Sequence, residues 1–152
     1  MLKAGDTFPA FQLPDQDGKS RSLGDLAGAS GLVLYIYPKD DTPGCTIEAQ
    51  DFRSQLAAFR AKGYEVAGLS KDSAASHCKF IEKYELNFPL LSDLGGEFLE
   101  AIGSFGEKNM YGKVVQGILR STFVIGRDGV VRKSYGNVKA AGHAAKVLAD
   151  LG

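Results

Sequence analysis

Cysteine is scarce in this sequence, with two in 152 residues, too few to staple a disulfide scaffold. Cys45 and Cys78 form no CxxC clip, which leaves either a redox pair or two reduced thiols. No stretch approaches the roughly 18 apolar residues of a membrane span. The opening Met1-Leu2-Lys3-Ala4-Gly5-Asp6 lacks the apolar core of a secretory signal, so the reading is a protein of the reducing cytoplasm. Charge of one sign is also missing: 18 Lys and Arg balance 18 Asp and Glu, and no global field draws the chain to nucleic acid or an anionic membrane. Repeats, low-complexity tracts and linkers are absent as well. The expectation is one domain over residues 1–152, large enough to bury about two-thirds of its unfolded surface.

What is present follows an α/β order. Phe8 to Leu23, with Pro9, Pro14 and the Asp17-Gly18 turn signal, reads as an N-terminal β-hairpin, and a short turn or helix follows around Asp25 to Ala27. Gly31 to Tyr37 is apolar without interruption, as a strand buried on both faces requires. A long amphipathic run from Cys45 to Phe59 stops near Lys62-Gly63, and Tyr64 to Leu69 is the next strand. Asp72 or Ser73 caps a second helix to about Tyr84. An extended piece at Asn87 to Leu91, a helix over Gly96 to Ile102 and a long connection from Gly103 to Gly117 come next. A connection of that length points to a functional loop, with Phe105, Met110 and Tyr111 as a lip beside a pocket or as a loop packing its own aromatics. Ser121 to Ile125 and Val130 to Tyr135 flank Gly126-Arg127-Asp128-Gly129 as a hairpin, and Ala140 to Leu151 closes the chain as a helix.

The chemistry concentrates at the junction Tyr37-Pro38-Lys39-Asp40-Asp41-Thr42-Pro43-Gly44-Cys45-Thr46. Thr42 suits a helix N-cap and Pro43 the first helical position, which sets Cys45 third. Positions 45, 49, 52, 56 and 59 hold Cys, Ala, Phe, Leu and Phe, the spacing of one helical face, so the sulfur begins the face that turns inward. Backbone N–H groups without intrahelical partners and the positive end of the helix dipole favour a thiolate at such a place, and with it a nucleophile. Arg120, in Gly117-Ile118-Leu119-Arg120-Ser121, enters a strand where an apolar side chain would be unremarkable, and on its own reads as a solvated edge charge. His77 and His143 have no clip-like spacing to each other or to the cysteines, so no metal site is expected; His77 reads as a surface or partly buried helix residue and His143 as a helix-face residue.

Pro38, Thr42 and Cys45 reproduce the PxxxTxxC signature, and YPKDDTPGCT resembles the bacterioferritin comigratory protein or peroxiredoxin Q group of the peroxiredoxins. The similarity runs from Gly5 to Leu148 and is most specific over Pro38 to Thr46 and Gly106 to Ser121. It implies an α/β thioredoxin-like fold, a mixed sheet flanked by helices, with the N-terminal hairpin as an addition. It also implies a thiol peroxidase in which Cys45 attacks the O–O bond of hydrogen peroxide or an organic hydroperoxide and becomes a sulfenic acid. By the same resemblance Thr42 accepts a hydrogen bond from the peroxide, Pro38 shields the thiolate and Arg120 contacts sulfur and peroxide. Glu48 either braces the arginine or is a helix-surface carboxylate. No cofactor or metal is implied; the implied partners are the hydroperoxide and thioredoxin or a similar thiol reductant, and the implied state is a monomer.

The second thiol departs from many relatives, which place a resolving cysteine five residues after the first, where this chain has Gln50. A second group places it in the next helix, and Cys78 lies there about one turn early. Cys78 is then either the resolver or a packing cysteine sharing a face with Ala74 and Ile81, and the alternative is a one-cysteine enzyme reduced by an external thiol. A thiol-disulfide oxidoreductase on the same fold is disfavoured by the missing CxxC partner.

Overall fold

A computed structural model describes residues 1–151. The centre is strand β3 (Gly31–Ile36), every residue of which is buried. Side chains alternate across a strand. Accordingly Leu32, Leu34 and Ile36 enter one apolar cluster while Val33 and Tyr35, with Tyr37 just beyond, enter the other. The unbroken apolar run is therefore two half-cores read out in turn.

The main sheet has the order β5-β4-β3-β8-β9, built from β4 (Tyr64–Ser70), β5 (Leu90–Ser92), β8 (Ser121–Gly126) and β9 (Val131–Tyr135) around β3. β3, β4 and β5 run parallel, whereas β8 is antiparallel to β3 and β9 to β8, which makes the sheet mixed. One face carries α2 (Pro43–Ala61), α3 (Ala74–Tyr84) and α5 (His143–Asp150), whose buried residues join the cluster of Val33 and Tyr35. The other face is covered by the N-terminal segment through Phe8, Phe11 and Leu13, by Leu26 of α1 (Leu23–Leu26) and by Leu99 of α4 (Glu97–Ala101).

The expected N-terminal hairpin is present but short. β1 (Leu13–Pro14) pairs with β2 (Ser20–Arg21), and Asp15 organises the turn by accepting from the Asp17 and Lys19 amides and from Arg21. The closing helix begins three residues later than the sequence suggests, because Gly142 at its N-cap takes φ +78°.

The long connection from Gly103 to Gly117 is not an open loop. It forms a two-stranded ribbon of β6 (Phe105–Met110) and β7 (Lys113–Ile118), turned by Tyr111 and Gly112 at φ +51° and +79°. Only Ile118 of β7 is buried, so the ribbon lacks the apolar alternation that would mark it in sequence.

Candidate active site

β3 delivers Tyr37 and then Pro38 to the carboxyl end of the parallel strands, where the chain turns into α2. Asp41 takes φ +55°, Thr42 is the N-cap, Pro43 opens the helix and Cys45 is third in it. The side chains of Cys45, Ala49, Phe52, Leu56 and Phe59 are all buried on one face. The Thr42 hydroxyl makes no cap bond; it donates to the Lys39 carbonyl at 2.9 Å. Its oxygen lone pairs remain for another donor.

Arg120 arrives from the opposite direction. Ile36 of β3 pairs with Ser121 of β8, so the residue before Ser121 lies level with the end of β3, beside the first turn of α2. Its guanidinium donates to Cys45 Sγ at 3.1 Å and to Glu48 Oε1 at 2.6 Å, a fork fitted to two groups one helical turn apart. Glu48 is therefore a brace rather than a surface carboxylate. It is fully buried, and its Oε2 has no hydrogen-bond partner among the described residues. Burial pushes its carboxyl up to about 7 against the pull of Arg120. Burial lowers Arg120, but the charges of Glu48 and Cys45 outweigh it and hold the guanidinium above its usual value.

A cleft of about 610 Å³ opens in front of the guanidinium, bounded by Pro38 and Arg120 with Ile118, Leu119, Val138 and Lys108. Cys45 is 1% exposed and reaches the cleft wall through its contact with Arg120. Of the residues singled out in sequence, Cys45, Glu48 and Arg120 are in direct contact, Pro38 lines the cleft with Arg120, and Thr42 is the N-cap three residues before the sulfur. Phe105 and Tyr111 do not: Phe105 packs against the core under Lys71, Tyr111 stands fully exposed at the ribbon tip, and the Met110 side chain lies outside the described part.

Cys78 is half-buried in α3 and donates to the Gln16 carbonyl at 3.0 Å. Gln50 is exposed on α2. His143 meets Thr122 at 2.8 Å. His77 corrects the sequence reading: it is completely buried, 2.7 Å from Asp40 and 2.9 Å from the Leu91 carbonyl. Asp40 was the missed residue, and its signal was a charge placed between a buried strand and a helix start. Asp40, Asp72 and His77 bring ligand-type atoms within 4.8 Å of one another, and each is hydrogen-bonded to protein partners.

The AhpC/TSA family matches residues 4–134. The chain belongs to that family. Peroxiredoxin Bcp of Escherichia coli is 42% identical over 147 residues, covering 97% of this chain and 94% of the relative. Peroxiredoxin Q of Xanthomonas campestris superposes with a TM-score of 0.86 at 43% identity, covering 99% of this chain and 94% of that one. BcpB of Mycobacterium tuberculosis gives 0.88 at 36% identity, covering 99% and 97%. The AhpC/TSA chain thus has the thioredoxin-like α/β fold of the peroxiredoxins, within the Bcp and peroxiredoxin Q group, and with it the class of thiol-dependent peroxidases acting on hydroperoxides.

Proposed function

We propose that Cys45 is the peroxidatic residue. Its thiolate attacks the terminal peroxide oxygen, the O–O bond breaks, sulfur becomes a sulfenic acid, and the leaving oxygen departs as an alcohol or water once protonated. The observation that carries this reading is the 3.1 Å contact from Arg120 to Cys45 Sγ, which sets a fixed cation on the nucleophile. The same guanidinium favours the charge that grows on the peroxide as the bond lengthens. Thr42, its own proton committed to Lys39, accepts from the peroxide hydroxyl, and Pro38 in the cleft wall limits water at the sulfur.

Ile118, Leu119 and Val138 give the cleft apolar walls suited to the organic part of a hydroperoxide as well as to hydrogen peroxide. A Xanthomonas campestris relative of 42% identity is described by its alkyl peroxide reduction activity. Cys78 then captures the sulfenic acid as a Cys45–Cys78 disulfide, which a thioredoxin-type donor reduces. A one-cysteine cycle is favoured by one observation, the hydrogen bond that settles Cys78 on Gln16. The resemblance to the peroxiredoxin Q group supports a monomer, and a cytoplasmic setting is compatible with the described residues containing no helix long and apolar enough to cross a membrane.

Cys45→Ser is expected to abolish peroxide turnover with the fold intact, and undiminished peroxidase activity in it rejects the assignment. Peptide mass mapping after one equivalent of peroxide should find Cys45 bridged to Cys78. A lasting sulfenic acid beside a free Cys78 would select the one-cysteine cycle.

A further inference from the structure

The polar knot at Asp40 plays no part in the steps above, yet it joins both thiol-bearing elements. Asp40 precedes Thr42 by two residues and is 7% exposed. Its carboxylate accepts from Tyr37 Oη at 2.5 Å and Ser76 Oγ at 2.8 Å and lies 2.7 Å from His77 Nδ1, and its amide donates to Asp72 Oδ2 at 2.9 Å. The next residue, Asp41, accepts from Lys83 at 2.8 Å and Tyr84 at 2.6 Å at the far end of α3. The turn that leads into Cys45 is thereby tied to α3 along that helix's length.

His77 is held at both ring nitrogens. Nε2 faces the Leu91 carbonyl, which can only accept, so Nε2 carries hydrogen. Nδ1 faces the Asp40 carboxylate, which also accepts from Tyr37 and Ser76. A buried pair of this kind is held by its geometry and is weakened greatly when either partner is removed.

His77 is the residue before Cys78, and Ser76 and His77 lie in the first turn and a half of α3. A Cys45–Cys78 bridge needs Cα atoms within about 7 Å. The two sulfurs now hold different partners, Arg120 and the Gln16 carbonyl, so both contacts have to break before they meet. Asp40 leads into α2, and Ser76 and His77 lie at the start of α3, so the bonds between them resist loosening of the start of either helix.

We propose that Asp40 and His77 are positioning residues that latch the Cys45 turn to α3 and set the rate at which the oxidised site opens. The inference rests on Cys45 as the peroxidatic thiol and Cys78 as the resolving one. While latched, Cys45 sulfenic acid stays at the cleft, where a second peroxide oxidises it to sulfinic acid and is itself reduced to alcohol. Once unlatched, the Cys78 sulfur attacks the sulfenic sulfur, the S–S bond forms, and hydroxide leaves with the thiol proton as water.

Two substitutions at one position separate latch from packing. Asparagine sets an amide nitrogen near the place of Nδ1 and keeps the bond to Asp40; glutamine sets one near Nε2 and keeps the bond to Leu91. His77→Gln and Asp40→Asn are expected to raise amide hydrogen exchange at residues 40–46 and 74–78 of the reduced protein about tenfold, the factor corresponding to ~1.4 kcal/mol. Bridge formation after one equivalent of peroxide should accelerate in parallel, and the sulfinic fraction at excess peroxide should fall. His77→Asn should stay within about twofold of the parent. Ser76→Ala removes a single bond to Asp40 from a half-buried site and should give a smaller increase, which serves if the buried changes unfold the chain. Equal exchange in His77→Gln and His77→Asn, or unchanged exchange in Asp40→Asn or Ser76→Ala, overturns the latch. If the parent forms no bridge, the resolving assignment fails, and the exchange comparison still decides the latch.

Discussion

Glu48 and Arg120 meet at 2.6 Å in a place where the carboxylate has no exposed surface. The pair is asymmetric: one Glu48 oxygen is bound and the other has no partner among the described residues. Burial outweighs the guanidinium and raises the carboxyl from its ordinary 4.5 to about 7.

That shift fixes the sign of a pH effect. An acid whose folded pKa is raised stabilises the fold fully below its unfolded value and loses that contribution as pH rises through the folded one. The window here runs from 4.5 to about 7. Glu48→Gln removes the titration, so its melting temperature should fall less than the parent's between pH 4.5 and 8. Parallel melting curves for the two proteins across that range would falsify the assignment. The same variant loses the charge-assisted brace and should react with peroxide about tenfold more slowly, measured by stopped flow.

Arg120 carries two contacts that a lysine cannot make together, since an ammonium is a point charge without the guanidinium fork. Arg120→Lys is expected to keep the fold and to lower the rate constant for peroxide by about a hundredfold or more, the scale of losing one oriented donor at a reacting oxygen. Arg120→Gln adds a stability loss by leaving Glu48 buried without its cation. That loss should be larger at pH 8, with Glu48 ionised, than at pH 5, with it protonated. Equal destabilisation at the two pH values would show that the loss is packing and not charge.

Thr42 gives a prediction that position alone would miss. Removing an N-cap hydroxyl ordinarily destabilises by about 1 kcal/mol, but here the hydroxyl bonds the Lys39 carbonyl and no helix amide. Thr42→Val should therefore melt close to the parent and yet lose much of its kcat/KM for hydrogen peroxide. Thr42→Ser, which retains the oxygen, should recover the rate. A valine variant with full activity would remove Thr42 from the peroxide site.

Much of this arrangement was legible because the sequence signals were local. The run from Leu32 to Tyr37 fills both half-cores, and the spacing of Cys45, Ala49, Phe52, Leu56 and Phe59 is the buried face of α2. Arg120 was legible through the resemblance rather than through periodicity, since its meaning depends on the pairing of β8 with β3. The β6–β7 ribbon was not legible: it buries little, so nothing forces alternation on Lys113 to Gly117. Asp40 and His77 escaped for a related reason. Each looks like a surface residue on its own, and only the approach of α3 to the Cys45 turn turns the two into a buried pair 37 residues apart.

His143 supplies a titration of opposite sign at the other end of the same face. It opens α5 beneath Phe52 and Tyr135, both edge-on to its ring, with Nε2 2.8 Å from Thr122 Oγ1. Burial, helped by Lys146 and Arg120, lowers its pKa from 6.5 to about 4, so the folded chain holds it neutral. A base whose folded pKa is depressed contributes stability that is present above the unfolded value and is lost as pH falls through the folded one. The window runs from 6.5 down to about 4, with at most about 3.5 kcal/mol at stake at ~1.4 kcal/mol per unit. Glu48 acts in the contrary direction over part of this range, so the comparison is drawn in the Glu48→Gln background. There, urea unfolding should show stability declining from pH 7 to pH 4, and adding His143→Gln should flatten the decline while lowering stability at pH 7. If the double variant retains the full slope, the acid sensitivity belongs to another group.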